Sequence, residues 1–411
     1  MRISLVLALA AGTVAMGCGS SSPQPGGGAG DSTGGTRGST GGKTGSTGGT
    51  TGSTGTGGTH VDVDAGSIGS AGNPNGSCSG GVPSRGQAAD TSNSTVVGDG
   101  TAGSCTFAAL QSAVAKAGAI TFNCGGPATI TVTSTLELSL TKNTVIDGGG
   151  MVTLDGGGAV RILDFNSQNW LATNTLVTLQ HIALSNGKAT PTEAIPTAPA
   201  PCSQGWNDGQ GGALYMRDGN LVVVDAVFSN NQAAPLGPDT GGGAIHIEGS
   251  KNGAIIVGST FVGNTGSVGG AIYALTAELD IYNSLFMDNT ATGHDANGQD
   301  QSMCKVMNND QYETGSGGNG GALDADGDGF NIILCGDAIT GNTAGTNAFG
   351  SALCFTSDDF SGTLSIVDST VTGNTGGGSW ASVSTGSAPD LGSAFGVNAK
   401  SITLTNSTLQ K

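Results

Sequence analysis

Short stretches in which apolar residues alternate with polar or β-branched ones recur along the C-terminal half of the chain. They are Leu221–Val224, Ala254–Val257, Leu279–Tyr282, Ile332–Cys335 and Leu364–Val367. A period of two over four residues with many β-branched side chains predicts short strands, and no period of 3.6 competes with it there. Further upstream the pattern changes. Phe107, Leu110 and Val114 fall on one face of a helix within TFAALQSAVAKAGA, followed by the strand-like segment 119–122 and the strand-rich runs ITVTSTLELSL and TVIDGGGMVTLDGGG.

Two motifs alternate between the strands. The first reads GGAL at 211–214, GGAI at 242–245 and 269–272, GGAL at 320–323, and more loosely GSAL at 350–353 and GSAF at 392–395. The second ends in Asn: FSNN at 228–231, FVGN at 261–264, FMDN at 286–289, ITGN at 339–342 and VTGN at 371–374. From the first Gly of one motif to the Asn of the next, the separations are 20, 22, 20, 22 and 24 residues. Near-constant spacing of strands and Gly-rich corners predicts one structural rung per repeat, each burying its inward side chains only against its neighbours. The expected fold is all-β, a right-handed parallel β-helix over residues 77–411, with the helix near residue 107 covering its first rung. An open solenoid end exposes unpaired strand edges and needs such a cover. Asn231, Asn264, Asn289, Asn342 and Asn374 are expected to stack at one corner as a ladder of amides with a structural role.

These alternating motifs resemble the repeats of the polymorphic outer membrane protein family, over roughly residues 211–411. The resemblance implies a pectin-lyase-like β-helix and exposure at the cell surface. Members of that family usually end in a membrane β-barrel that exports the passenger, whereas this sequence runs only to Lys411, one residue before the next ladder Asn would fall due.

The N-terminus supplies another route out of the cell. Met1 and Arg2 precede an apolar stretch from Ile3 to Ala15, and the segment AMGC resembles the lipobox of bacterial lipoproteins. That resemblance makes residues 1–18 a signal and Cys18 a lipidated N-terminus at the outer membrane, a freely secreted protein being the alternative. Residues 19–76 are almost wholly Gly, Ser and Thr, too poor in apolar surface to offset the entropy of ordering them, and are expected to be a disordered tether.

Composition narrows the function. Gly contributes 76 of 411 residues, and 13 Lys and Arg stand against 30 Asp and Glu, a formal charge of −17. The cationic surface that grips phosphate is missing, so nucleic acid is excluded as a partner, and membrane contact is expected only through the lipid anchor. Eight Cys in an exported chain favour structural disulfides over zinc, and Cys105 and Cys124, which bracket the predicted helix, are the candidate pair.

If inward and outward positions alternate after each first motif, Tyr215, His246, Tyr273, Asp324 and Cys354 form one outward column, with Arg217, Asp218, Glu248, Asp326 and Asp328 beside it. Aromatic faces with interspersed carboxylates suit sugar rings, so Tyr215, His246, Tyr273 and Asp324 are the candidate ligand face. Asp324, Asp326 and Asp328, ahead of Gly329, match the opening of a calcium loop and make Ca2+ the one candidate cofactor. The twelfth position of that loop is Cys335 rather than Glu, and a solvated acidic turn is the alternative. The expected function is that of an adhesin or carbohydrate-binding module that meets a polysaccharide or cell-surface ligand. A polysaccharide lyase or glycoside hydrolase is the enzyme alternative, without identified catalytic residues: GHD at 293–295 precedes Asp358-Asp359 and the flanking hydrolase motifs are missing. An inert spacer is the third class.

Overall fold

The computed structural model describes residues 71–192, 208–237, 240–296 and 317–411. Cys18, Cys202, Cys304 and Trp206, with the expected signal and most of the expected tether, lie outside the described residues. Regular secondary structure among them is almost all strand, and 24 strands belong to one parallel hydrogen-bonded network.

One rung shows how the network is built. The strand Ile272–Tyr282 turns a corner at Thr276, where φ is 48°. Its first half pairs in parallel with Ile245–Glu248 of the rung before and Leu323–Asp326 of the rung after; its second half pairs with Ala254–Val257 and Ile332–Cys335. After a second corner, Leu285–Met287 pairs with Thr260–Val262 and Ala338–Thr340. Three faces result, each a ladder of strands from successive rungs, and the chain is a parallel β solenoid. The strands expected from the alternating pattern form its second face.

Alternation puts one set of side chains inside. Ile245 and Ile247, Ile272 and Ala274, Leu323 and Ala325, and Leu353 and Phe355 line the core from the first face, all with no exposed surface. On the third face Phe228, Phe261 and Phe286 stack with ring centroids 4.7 Å apart and planes within 3° of parallel. Parallel in-register strands impose that spacing, so each ring covers the next and water is excluded along the whole stack.

Besides the turn between the first and second faces, made at Thr276 in this rung, the rungs turn at three further places where φ is positive. The first is the leading Gly of the GGA motif, such as Gly242 at φ 71°, where a Cβ would sit 2.0 Å from the carbonyl oxygen of Ile245. The second Gly answers a different need: a Cβ on Gly243 would fall 2.2 Å from the carbonyl oxygen of Gly270 in the next rung. The second corner is filled by His181, Asp225, Asn283, Asp368 and Asn406 with Gly258 and Gly336, and the third by Asn186, Asn230 and Asp288 with Gly263, Gly341 and Gly373. Gly, Asn and Asp are the residues that enter this region at least cost, which is why they recur here. Most variation in rung length falls after the ladder Asn: from it to the next leading Gly the chain takes 11, 5, 31, 8 and 18 residues.

The helix Phe107–Val114 starts at Thr106, whose side chain accepts a hydrogen bond from the Ala109 N–H, and buries Leu110, Ala113 and Val114. It lies against the strands Thr95–Val97, Gly118–Phe122 and Leu136–Glu137.

Residues 71–94 form an arm over the outside of the second face, and this moves the boundary expected between tether and solenoid. Gly72 N–H donates to Thr260 Oγ1 (2.8 Å), and Asn73 N–H donates to the Asn283 carbonyl (2.9 Å). The chain from residue 71 is therefore already part of the folded body, ahead of the boundary at 77. Cys78 is disulfide-bonded to Cys335, 257 residues away. From there the arm runs back along the stack: Arg85 pairs with Asp280, and Ala89 exchanges hydrogen bonds with the Gln180 side chain (2.7 and 3.1 Å) before Thr95 begins the first strand. Cys78 and Val82 cover an apolar strip of Val222, Val224, Ile255, Tyr282 and Cys335.

Candidate functional site

The first face carries the densest set of polar side chains. Tyr215, His246, Tyr273, Asp324 and Cys354 are register partners in consecutive rungs, one column pointing away from the core. The column is not a surface, however, and the expected ligand face needs correction on this point. Tyr215 is 6% exposed, Tyr273 1%, and His246 and Asp324 not at all. Part of the cover is a segment with no periodicity to announce it. After the strand Leu163–Asn166 the chain folds over the face, the Leu171 N–H donates to the Gly249 carbonyl (2.8 Å), and Trp170 packs on Tyr273, Leu275 and Val268. Gly249 makes room for it, since a Cβ there would lie 2.4 Å from the indole. Asp218 holds this segment in place by accepting hydrogen bonds from the Ala172 and Thr173 N–H groups and the Ser167 hydroxyl.

Beneath the cover the charged groups satisfy one another. Glu248, 2% exposed, accepts from the Tyr215 hydroxyl and from Arg217 Nη1 at one oxygen, each at 2.8 Å, and faces His246 Nε2 at 3.3 Å with the other. Burial pushes the Glu248 carboxyl up, but the His246 contact, the Tyr215 hydroxyl and the Arg217 charge together hold it below the usual carboxylate range. The Tyr215 phenol moves the opposite way, raised by burial and by the Glu248 charge beside it. Arg161 lies over the Tyr215 ring, 5.1 Å from its centroid, and bonds to Asp164 and to the Gln210 carbonyl; Arg217 lies over the Trp170 ring at 5.4 Å. His246 is flanked by the rings of Tyr215 and Tyr273 at 5.5 and 4.9 Å.

A general base needs an oxygen or nitrogen within reach of a substrate proton. Both Glu248 oxygens are taken, and Tyr215 and His246 beside it are buried. The arrangement binds rungs together.

The three carboxylates of the calcium expectation do not form one loop. Asp324 and Asp326 belong to the strand Leu323–Gly327 and point to the same side of the first face, both buried. Same-side neighbours in a strand stand nearly 7 Å apart, at about 3.3 Å per residue, and cannot wrap around an ion as a loop does. Asp328 is at the following turn, exposed, accepting from the Asp359 N–H (3.0 Å). Among the described residues no three His, Cys, Asp or Glu side chains converge to hold a metal. Asp358 and Asp359 lie on the neighbouring exposed turn, and His294 pairs with Asp295 (2.8 Å).

The five Asn residues form a continuous buried chain of hydrogen bonds. In each step the N–H and the Nδ2 of one Asn both donate to the Oδ1 of the next, from Asn231 through Asn264 and Asn289 to Asn342, at 2.9–3.0 Å. Asn342 makes the same pair of bonds to Asn374 at 2.9 Å. Where the next Asn would stand, Gln410 reaches in instead: its Oε1 accepts from the Asn374 N–H (2.8 Å) and its Nε2 donates to the Asn374 carbonyl (2.7 Å).

A second ladder, buried from Ser259 to Ser369, was missed. Ser259, Ser284, Asp337, Ser369 and Ser407 stand two residues before the inward residue of each third-face strand, and each accepts from a backbone N–H of the preceding rung. The signal was present as Ser-x-Phe at 259–261 and 284–286, but Ser is common and Asp337 interrupts the series. Asp337 is fully buried; it accepts from the Ser284 N–H (2.7 Å), while its Oδ2 finds no hydrogen-bond partner among the described residues. Burial pushes its carboxyl well above the ordinary range.

Cys105 and Cys124 are disulfide-bonded, tying the chain just before the helix to the end of the strand that follows it. Cys335 is joined to Cys78, a pairing that nothing in the spacing indicated, and Cys354 is also disulfide-bonded. No helix among the described residues is long and apolar enough to cross a membrane. Comparison of the chain with family profiles, curated proteins and solved structures gave no match.

Proposed function

We propose that the protein is an exported, right-handed parallel β-helix displayed at the cell surface on a Gly/Ser/Thr tether, where it acts as an adhesin or glycan-binding module. In this reading Cys18 carries the lipid, residues up to about 70 span the gap to the membrane, and the helix Phe107–Val114 caps the first rung. The lipobox-like AMGC segment and the likeness of the GGA and Asn motifs to polymorphic outer membrane protein repeats support display. The single observation that weighs a display role above a catalytic one is the buried network around Glu248, whose carboxylate oxygens are spent on Tyr215, Arg217 and His246. The lyase or hydrolase alternative has less support for the same reason.

Two measurements test the proposal. Fractionation of cells expressing the full chain is expected to find it in the outer membrane, and a Cys18→Ser variant in the soluble fraction. The purified protein, incubated with immobilised acidic and neutral glycans, is expected to be retained without releasing unsaturated or new reducing ends. Release of such ends would establish the enzyme alternative, and neither retention nor cleavage across the panel would leave the inert spacer as the reading.

A further inference from the structure

We propose that the arm of residues 71–94 is a tension strap: a pull arriving from the tether enters the solenoid at the rung of Cys335 and bypasses the rungs between Thr95 and Cys335. The strap is anchored where it arrives. Around Cys78 the arm is held by several rungs at once, with Asn73 Nδ2 donating to the Gly336 carbonyl (2.9 Å), Cys78 N–H to Asn283 Oδ1 (2.9 Å) and Ser79 N–H to Asp368 Oδ2 (2.8 Å). The Cys78–Cys335 disulfide adds a covalent link at this point. Only then does the chain travel back along the stack, past Asp280 and Gln180, to begin the first strand.

The route matters because a solenoid is held together one rung at a time. Each rung touches only its neighbours, so a chain pulled from its first strand would be peeled from that end in succession. With the strap in place the covalent path runs from residue 78 straight to residue 335. The intervening sequence, separated by 257 residues, becomes a closed loop that bears no load. Lateral entry also shields the Cys105–Cys124 region and the helix, which lie within that loop. The inference stands on chain path and disulfide topology and holds whatever ligand the surface takes.

Single-molecule stretching of the full chain between handles at its two ends tests it. Under oxidising conditions the unfolding steps are expected to sum to the 76 residues beyond Cys335, about 27 nm at roughly 3.6 Å each. After reduction by a dithiol, which converts the Cys78 and Cys335 sulfurs to thiols, the same measurement is expected to release on the order of 90 nm more. A Cys78→Ser/Cys335→Ser variant, kept oxidised, is expected to exceed the wild-type length. Oxidised wild-type protein that unravels to its full length would overturn the proposal, as would a reduced chain or double variant no longer than the oxidised wild type.

Discussion

Replacing Asn289 by Ala removes the middle step of the Asn ladder and measures what the ladder contributes. The Asn289 side chain donates to Asn342 Oδ1 (2.9 Å) and to the Phe261 carbonyl (3.0 Å), and accepts from the Asn264 N–H and Nδ2 (3.0 and 2.9 Å). All of this is buried, so water does not replace the lost partners. The Asn264 N–H and Nδ2 and the Phe261 carbonyl lose that partner in a dry environment, at about 1–3 kcal/mol for each group left unsatisfied. Allowing for relaxation, Asn289→Ala is expected to lower stability by about 3–5 kcal/mol. Gln410→Ala is the internal comparison. It deletes two bonds to Asn374 at a solvent-reached end of the same ladder and is expected to cost about 1 kcal/mol or less. Urea titration followed by circular dichroism reads both, as a shift of midpoint at constant slope. If Asn289→Ala stays within 1 kcal/mol of the parent, or the two variants cost the same, the ladder is ornament and the rungs are held by their apolar interior alone.

Asp337→Ser restores the Ser series and removes a carboxyl whose pKa is raised in the fold. Such a group contributes most below its unfolded value, about 3.9, and loses that contribution as the pH rises through its folded value. Melting of the variant between pH 4 and pH 8 should therefore run higher than the parent at neutral pH, by a few degrees, with a flatter pH profile; a lower melting temperature at pH 7 would refute this. Gly243→Ala drives a methyl to within 2.2 Å of the Gly270 carbonyl and 2.5 Å of the Thr265 nitrogen, both main-chain atoms, and is expected to cost more than about 3 kcal/mol or to prevent folding. Gly80→Ala, with nothing within 4 Å, is expected to be neutral, and equal behaviour of the two in denaturant titration would sink the close-approach account.

The parts of this fold that repeat were legible, because repetition makes a local pattern into a statement about neighbours. Alternation located the second-face strands, and the constant distance from Gly211 or Gly242 to the following Asn implied stacked rungs. Register followed as well: Tyr215, His246, Tyr273 and Asp324 do share a column. Their burial did not follow, since it depends on Trp170 lying over Gly249, and neither residue belongs to a repeat. DADGDG misled for the converse reason: a motif read as a loop begins inside a strand, where Asp324 and Asp326 are pinned side by side. The arm was invisible because residues 71–76, Ala, Gly, Asn and Pro, carry no strand or helix periodicity, and a disulfide spanning 257 residues has no local signature except the cysteines themselves.

The corner after the ladder Asn tolerates detours of 5 to 31 residues, while the rest of each rung keeps nearly the same length. Appearance and architecture are thereby uncoupled along one edge. Beyond the one or two residues that follow each ladder Asn and pair from rung to rung, mutation can lengthen, shorten or replace what that edge presents without shifting any strand against its partner. A foreign epitope spliced into the 31-residue detour between Asn289 and Gly320, beyond the Thr290–Ala291 strand, would be carried at a fixed height on an otherwise unaltered column.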